Sequence, residues 1–499
     1  MRCAYSLSNA SIVAITALLF AGCAAGPDFT PPGEPDVSSY DYKMTPYMTA
    51  DGAQYIVHNT DIPAEWWSLF HSDNLNKLVM QAITYNPDLA SAEATLRAAE
   101  SNLSAGSAAF FPVVGGSFSS ERQETSKAGA GGAKSIYTLH TASVGVSYNF
   151  DLWGGTRRTV EALQAEVEAA RFQKEAAYLS LTSNVVTLAI AEANLREQIT
   201  AAREIVAAQE KVLEVYNLRF TSGAVAKGAV AAQQSALAAA KANLPPLEHQ
   251  LVVTRHALSA LVGQMPEKQP DAEFKLADIT LPKYVPLSLP SKLVQQRPDV
   301  CAAEENLHAA SAAIGIAQAA RLPNITLSAN LGSMARTFSK LLTPGYGLWS
   351  FGASAADTLF DAGALANKEE SARASYDAAA AQYRKTVLAA FQNVADTLHA
   401  LQSDAESLNA RRDAEKAAFD NQALVQSQFD AGAVGIAELL AAKQAAQQAK
   451  AGAIQAQAQR YADTAALLTA LGGGWWNRGI KVSADNGRIL KPSYEDGSK

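Results

Sequence analysis

Hydrophobic and polar positions along this chain switch between two periods. From Trp66-Trp67-Ser68-Leu69-Phe70 to about Ala109 the apolar residues keep helical spacing, as at Leu75, Leu78, Val79 and Ala82. From Pro112 the period becomes two, with Val144, Val146, Tyr148 and Phe150 alternating with Ser143, Gly145, Ser147 and Asn149. The alternation returns where Ile325, Leu327, Ala329 and Leu331 interleave with Asn324, Thr326, Ser328 and Asn330. Trp349, Phe351 and Ala353 continue it against Ser350, Gly352 and Ser354. Each strand thus has an apolar, aromatic face and a small, polar one. That pattern fits either a half-buried soluble sheet or a barrel with lipid outside and water inside. Polar, Gly-rich loops at 121–136 and 333–345 join the strands of each pair.

The strands feed long helical stretches. Residues 156–218 and 364–428 are rich in Ala and Gln and carry no proline, so each predicts a helix roughly 95 Å long at 1.5 Å per residue. Ser222-Gly223 and Ala431-Gly432 reverse the direction, and helix resumes over about 229–262 and 436–471. The first return helix is about half the outgoing length. The segment 291–321 is expected to supply the missing half, stacked on it end to end. Alanine favours helix and lets neighbours approach closely, which predicts lateral coiled-coil packing around a cylinder.

The whole design is written twice. Asn86-Pro87-Asp88-Leu89 recurs as Arg297-Pro298-Asp299-Val300 and Pro112 as Pro323. Phe150-Asp151 recurs as Phe360-Asp361, and Phe220-Thr221-Ser222-Gly223 as Phe429-Asp430-Ala431-Gly432. A mixed α+β fold of two internal repeats follows, a first at 61–280 with strands near 112–151 and a second at 281–474 with strands near 323–361. A tail, 475–499, comes after them. Four strands cannot close a barrel, and open sheet edges are not tolerated in lipid. If these strands span a bilayer, several chains must share one barrel.

The N-terminus bears on location. Arg2 and an apolar run at 12–21 make residues 1–22 a signal peptide. The run ends in Phe20-Ala21-Gly22-Cys23, which resembles a lipobox with Cys23 as the acylated residue; ordinary secretory cleavage is the alternative. Ala24 lacks the aspartate that retains lipoproteins in the inner membrane, which favours outer-membrane sorting. Residues 23–60, with Pro27, Pro31, Pro32, Pro35 and Pro46, read as an extended tether from that anchor. No run of 18 apolar residues follows the signal. Cys301 would be the only thiol left, so no internal disulfide supports the fold and burial is its expected role.

Charge and chemistry narrow the function. The net charge of −7 argues against a nucleic-acid partner. The histidines show no metal-ligand spacing, and Gly129-Ala130-Gly131-Gly132-Ala133-Lys134-Ser135 only approaches a phosphate loop, with Ala133 where a glycine is required. No enzyme activity, cofactor or metal is expected. A coiled-coil spacer between outer membrane and cell wall is the alternative class, but a spacer has no use for the strands.

Several of these motifs, in this order, resemble the outer membrane efflux factors, the TolC and NodT-type lipoproteins. They are Gly26-Pro27-Asp28-Phe29, Trp66-Trp67-Ser68-Leu69-Phe70, Asn74-Leu75-Asn76-Lys77-Leu78, Asn86-Pro87-Asp88-Leu89 and Leu468 through Gly472-Gly473-Gly474-Trp475. The resemblance implies a lipid-anchored homotrimer in the outer membrane of a Gram-negative bacterium, with a twelve-stranded transmembrane barrel and an α-helical tunnel through the periplasm. It also implies a periplasmic adaptor and an inner-membrane pump of the resistance-nodulation-division class as partners, and passive conduction of small molecules, as in multidrug resistance.

In that family the helical turns close the periplasmic end. The resemblance places Phe429 and the turn glycines Gly223 and Gly432 there, and puts Glu438 where an acidic ring residue stands. Val434 and Ala441 depart from the usual arginine and second aspartate. Three Glu438 carboxylates converging on an axis would repel one another, raising their pKa values and attracting cations. Arg219 and Lys227 flank the first turn and are candidates to pair with Asp430 or Glu438 of a neighbour.

Overall fold

The computed structural model describes residues 24–33, 35–37, 39–40, 48–125, 135–270 and 272–478. The signal peptide, Cys23, Pro46, residues 129–134 of the phosphate-loop near miss and residues 479–499 of the tail lie outside the described residues. In chain order the elements begin with β1 (Tyr55–His58), α1 (Asp73–Tyr85), α2 (Pro87–Ser107), β2 (Val113–Thr125) and β3 (Ser135–Phe150). Next come α3 (Gly155–Thr221), α4 (Lys227–Ala242), α5 (Leu244–Leu261), β4 (Tyr284–Leu287) and α6 (Pro290–Gln296). The chain continues with α7 (Pro298–Ala319), β5 (Asn324–Ala335), β6 (Gly347–Ala356), α8 (Ala364–Asp430) and α9 (Ile436–Ala470). Helices α3 and α8 have 67 residues each, about 100 Å of continuous helix.

Contacts divide the chain into two units, one of residues 1–32, 95–170 and 302–384 and the other of residues 33–94, 171–301 and 385–499. The first unit holds a four-stranded antiparallel sheet in the order β2-β3-β5-β6. Its register pairs Val114 with Val146, Val146 with Ala329 and Ala329 with Phe351. Residues directly opposite in an antiparallel ladder share a face. The expected apolar positions of β3, β5 and β6 therefore lie on one side of the sheet, and Ser, Thr, Asn and Gly on the other. Strand begins directly after Pro112 and Pro323, where a missing N–H is harmless.

The same unit holds the described residues that follow Cys23. Ala25 N donates to Trp153 O at 2.8 Å, Arg158 Nε to Ala25 O at 3.1 Å, and Arg158 Nη2 to Asp28 Oδ1 at 2.7 Å. Phe29 stacks on His308 with ring centroids 4.4 Å apart. Close approach needs glycine here: a Cβ on Gly315 would lie 2.6 Å from Ala25 O.

The second unit carries the aromatic core, with Trp66, Trp67, Phe70, Leu75, Leu78, Val79 and Ala82 buried as their helical spacing implies. One 18-residue window of α3 has a mean hydropathy of 1.2, high enough to cross a membrane by composition. Val185, Val186, Ala189, Ile190 and Ala193 of α3 are buried inside the chain, and 44% of that window is buried.

Four expectations are corrected. The return segment 229–262 is two helices, because Pro245 and Pro246 lack N–H groups and are tolerated only in the first turn of α5. Asn243, between the two helices, keeps right-handed helical angles, φ −77° and ψ −19°. The end of α5 meets the start of α2 rather than α7: Asn86 Nδ2 donates to Leu261 O at 3.0 Å. At the start of α7, Arg297 Nη1 donates instead to Ala470 O, the end of α9, at 3.1 Å. Helices α2 and α7 are nearly equal in length, 21 and 22 residues, so length alone could not choose between them.

The tether 23–60 is structured at both described ends. β1 pairs in parallel with β4, a sheet beyond the four expected strands, and Thr49 and Gln54 are buried. Finally, the tail does not begin at 475. Trp475 Nε1 donates to Gln296 O at 2.7 Å and Arg478 pairs with Glu175 at 2.9 Å.

Candidate functional site

Helices α3 and α8 end in the same cap. Gly223 N donates to Phe220 O at 3.0 Å and Ala224 N to Arg219 O at 2.8 Å; Gly432 N donates to Phe429 O at 2.9 Å and Ala433 N to Gln428 O at 2.8 Å. Both glycines are left-handed, at φ +73° and +72°, a conformation that reverses the chain at little cost only without a Cβ. The turns are short because α4 and α9 restart within a few residues, at Lys227 and Ile436.

Around these turns the structure brings Arg219 and Glu438 together within one chain. A Cβ built on Gly435 would lie 2.8 Å from Glu438 Oε2 and 3.5 Å from Arg219 Nη2. Gly435 thus leaves room for both charged groups. Glu438 sits in the first turn of α9, where the helix dipole favours an anion. Asp430 accepts from Gln426 Nε2 at 2.9 Å on its own helix. Lys227 opens α4 on the other turn and Phe429 is half-buried. Leu439 and Leu440 are buried beneath.

Along the helices the second unit is held by polar layers that periodicity does not reveal. Gln209 donates to Gln444 and accepts from Gln233, tying α3 to α4 and α9. Glu192, nearly fully buried, accepts from Arg255 at 2.6 Å and Arg196 at 2.8 Å. Arg460, also fully buried, pairs with Asp51 and donates to Gln54 Oε1 at 3.1 Å and Thr49 Oγ1 at 3.1 Å. Burial by itself would raise the Asp51 pKa, but Arg460, the Thr49 hydroxyl and the Ala53 N–H hold it well below the usual carboxylate range. Nearby, desolvation and then Asp463 push Asp404 up to about 7.

At the sheet the two faces differ chemically. On the polar face Ser117 and Ser143 hydroxyls bond at 2.9 Å, Thr326 Oγ1 donates to Asn149 Oδ1 at 2.8 Å, and Gln123 Nε2 donates to Tyr137 Oη at 2.6 Å. On the other face Trp349, Phe351, Leu331 and Phe118 are 78%, 73%, 68% and 58% exposed in the single chain. So much contiguous apolar surface requires lipid or protein against it. Tyr148 and Phe150 share that face and pack edge to face on each other, at 6.4 Å.

The sequence model of a family described as Outer membrane efflux protein matches residues 78–264 and again 289–473. Pyoverdine export outer membrane protein OpmQ of Pseudomonas putida is 30% identical over 417 residues, covering 82% of this chain and 88% of that protein. Toluene efflux pump outer membrane protein TtgC, also of Pseudomonas putida, is 29% identical over 478 residues, covering 93% of this chain and 96% of that protein. Among solved structures, the outer-membrane channel OprN superposes with a TM-score of 0.79 at 26% identity, over 91% of this chain and all of that one.

Proposed function

This chain belongs to the outer membrane efflux protein family, and from that premise we propose that it is the outer-membrane duct of a tripartite efflux pump. Three copies share a twelve-stranded barrel, four strands from each, and their long helices wall a tunnel into the periplasm. A periplasmic adaptor and an inner-membrane pump of the resistance-nodulation-division class complete the assembly. The duct conducts passively; the pump supplies energy and selection. Relatives named for pyoverdine export and for toluene efflux fit a tolerant conduit. Acylated Cys23 anchors each copy to lipid.

The observation that carries this reading is the sheet. It has an aromatic face, a face of Ser, Thr, Asn and Gly, and outer strands β2 and β6 whose outer edges are unpaired among the described residues. Such edges cannot stand in lipid, whereas a closed multi-copy barrel has none. The turns with Gly223 and Gly432 form the periplasmic constriction. Glu438 from each copy faces the axis there, while Arg219, Lys227, Asp430 and Phe429 set how tightly the turns close.

Purified protein reconstituted into planar bilayers should produce discrete conductance steps, and in detergent it should have the mass of three copies. A single-copy mass with no conductance would overturn the reading.

A further inference from the structure

The repeat specifies how one copy joins the next. Resting on the shared-barrel reading above, we infer that β6 of each copy pairs antiparallel with β2 of its neighbour in a single register, in which Ala355 lies opposite Phe118, Ser354 opposite Ser119, and Ala353 opposite Ser120.

The register follows from pairings within one chain. Val114 pairs with Val146 in the first hairpin and Ile325 with Ala355 in the second. Moving from Val114 to Ile325 is a step of 211, as from Pro112 to Pro323. The step from Val146 to Ala355 is 209, as from Gly223 to Gly432 and from Gly263 to Gly472. The 210 step from Phe150-Asp151 to Phe360-Asp361 reflects one extra residue between the end of β6 and Asp361, and the step is 209 again from Gly155 to Ala364, where the long helices begin. The two hairpins are therefore equivalent residue by residue, β2 with β5 and β3 with β6. Between them runs the β3–β5 seam, where Val146 pairs with Ala329, Gly145 with Asn330 and Val144 with Leu331. A closed barrel repeats that seam between β6 of one copy and β2 of the next. Val146 maps to Ala355 and Ala329 to Phe118; Gly145 maps to Ser354 and Asn330 to Ser119.

Face chemistry agrees with this alignment. The mapped register sets Phe351 opposite Arg122 and Trp349 opposite Glu124, near the loop ends of their strands, where aromatic and charged side chains are compatible with a membrane interface. It sets Ala353 and Ala355 opposite Ser120 and Phe118, so the bulky ring meets a methyl group. On the polar face it makes a Ser354–Ser119 pair of the same kind as the observed Ser117–Ser143 bond. A slip of one residue would turn the aromatic face of one copy onto the polar face of the next.

Paired cysteines test the register on full-length protein in outer membranes. Directly opposed Cβ atoms lie within disulfide reach, and neighbouring pairs alternate between the two ladder geometries. The doubles Ser354→Cys/Ser119→Cys and Ala353→Cys/Ser120→Cys therefore include one pair of each type. Cys301 is buried, and the single-cysteine variants give the background. Mild oxidation should convert the better of these doubles to covalent multimers at least five-fold more efficiently than Ser354→Cys with Ser117→Cys or with Glu121→Cys. A maximum at either displaced pair, or no cross-link from any pair in protein that has a multi-copy mass, overturns the register while leaving the shared barrel intact. A bond formed within one copy, or protein of single-copy mass in detergent, overturns both.

Discussion

Arg158, whose side chain is only 5% exposed, holds the fully solvated carboxylate of Asp28 at 2.7 Å. Burial would disfavour the charged guanidinium, but Glu161 and Asp28 more than offset it and keep Arg158 protonated. A buried cation thus fastens a surface segment that begins just after Cys23 in the sequence. Because Arg158 also donates to the Ala25 and Gly26 carbonyls, the hold is on backbone as well as side chain.

Replacing Arg158 with Met should release residues 25–29 and leave Glu161 short of a partner. We expect a loss of about 2 kcal/mol, the scale for hydrogen bonds to a charged group, and faster proteolysis or hydrogen exchange confined first to the N-terminal segment. Asp28→Asn, at the exposed end, should cost under about 1 kcal/mol.

Asn86 serves two helices at once. Its Oδ1 accepts from Asp88 N and Leu89 N at 2.9 and 3.1 Å, capping α2, while its Nδ2 caps the end of α5. Asn86→Ala should lower stability by about 2 kcal/mol, near the upper end for a lost N-cap. Asn86→Asp should recover the α2 share only, because it cannot donate to Leu261. Thermal midpoints of the three proteins decide it.

Stability should depend on pH through Asp404. Its folded pKa, about 7, is above that of an unfolded aspartate, so the contribution is fully present below about pH 4 and is lost as pH rises through 7. Asp51 has the opposite sign: its depressed pKa stabilises above the ordinary carboxylate range and the benefit is lost on acidification. The thermal midpoint should therefore be higher near pH 5 than at pH 8. Asp404→Asn should flatten that difference by raising the value at pH 8.

Gly472 has φ +98°, and a Cβ there would lie 2.6 Å from Gln296 O, a backbone atom. Gly472→Ala should cost about 2 kcal/mol or more from strain at that left-handed position. Gly223→Ala, with the same handedness but nothing within 4 Å, should cost less. Comparing denaturant midpoints separates close approach from backbone preference.

At the helical turns, Glu438→Gln should reduce the cation preference of single channels. Arg219→Ala should raise conductance of the closed state by freeing the turn. Unchanged currents and unchanged antibiotic sensitivity in both variants would remove these residues from the constriction.

Much of this was legible in one dimension. The alternation around Tyr148 and around Leu327 named both faces of the sheet, and the proline-free runs named α3 and α8. The glycines at 223 and 432 named the turns. Each is a local pattern, set by which side of an element is covered. The candidate site was legible only in part: the turns were found, whereas the placing of Arg219 beside Glu438 of its own chain depends on Gly435, whose role is spatial.

By itself the sequence determined the types of element and their faces, because periodicity and turn chemistry act among near neighbours. Tertiary structure alone decided that α5 ends on Asn86 and α9 on Arg297, that β1 finds β4, and that Arg460 finds Asp51 some 409 positions away. Contacts between distant residues leave no local signature, and α2 and α7, so similar in composition and length, compete equally until packing chooses between them.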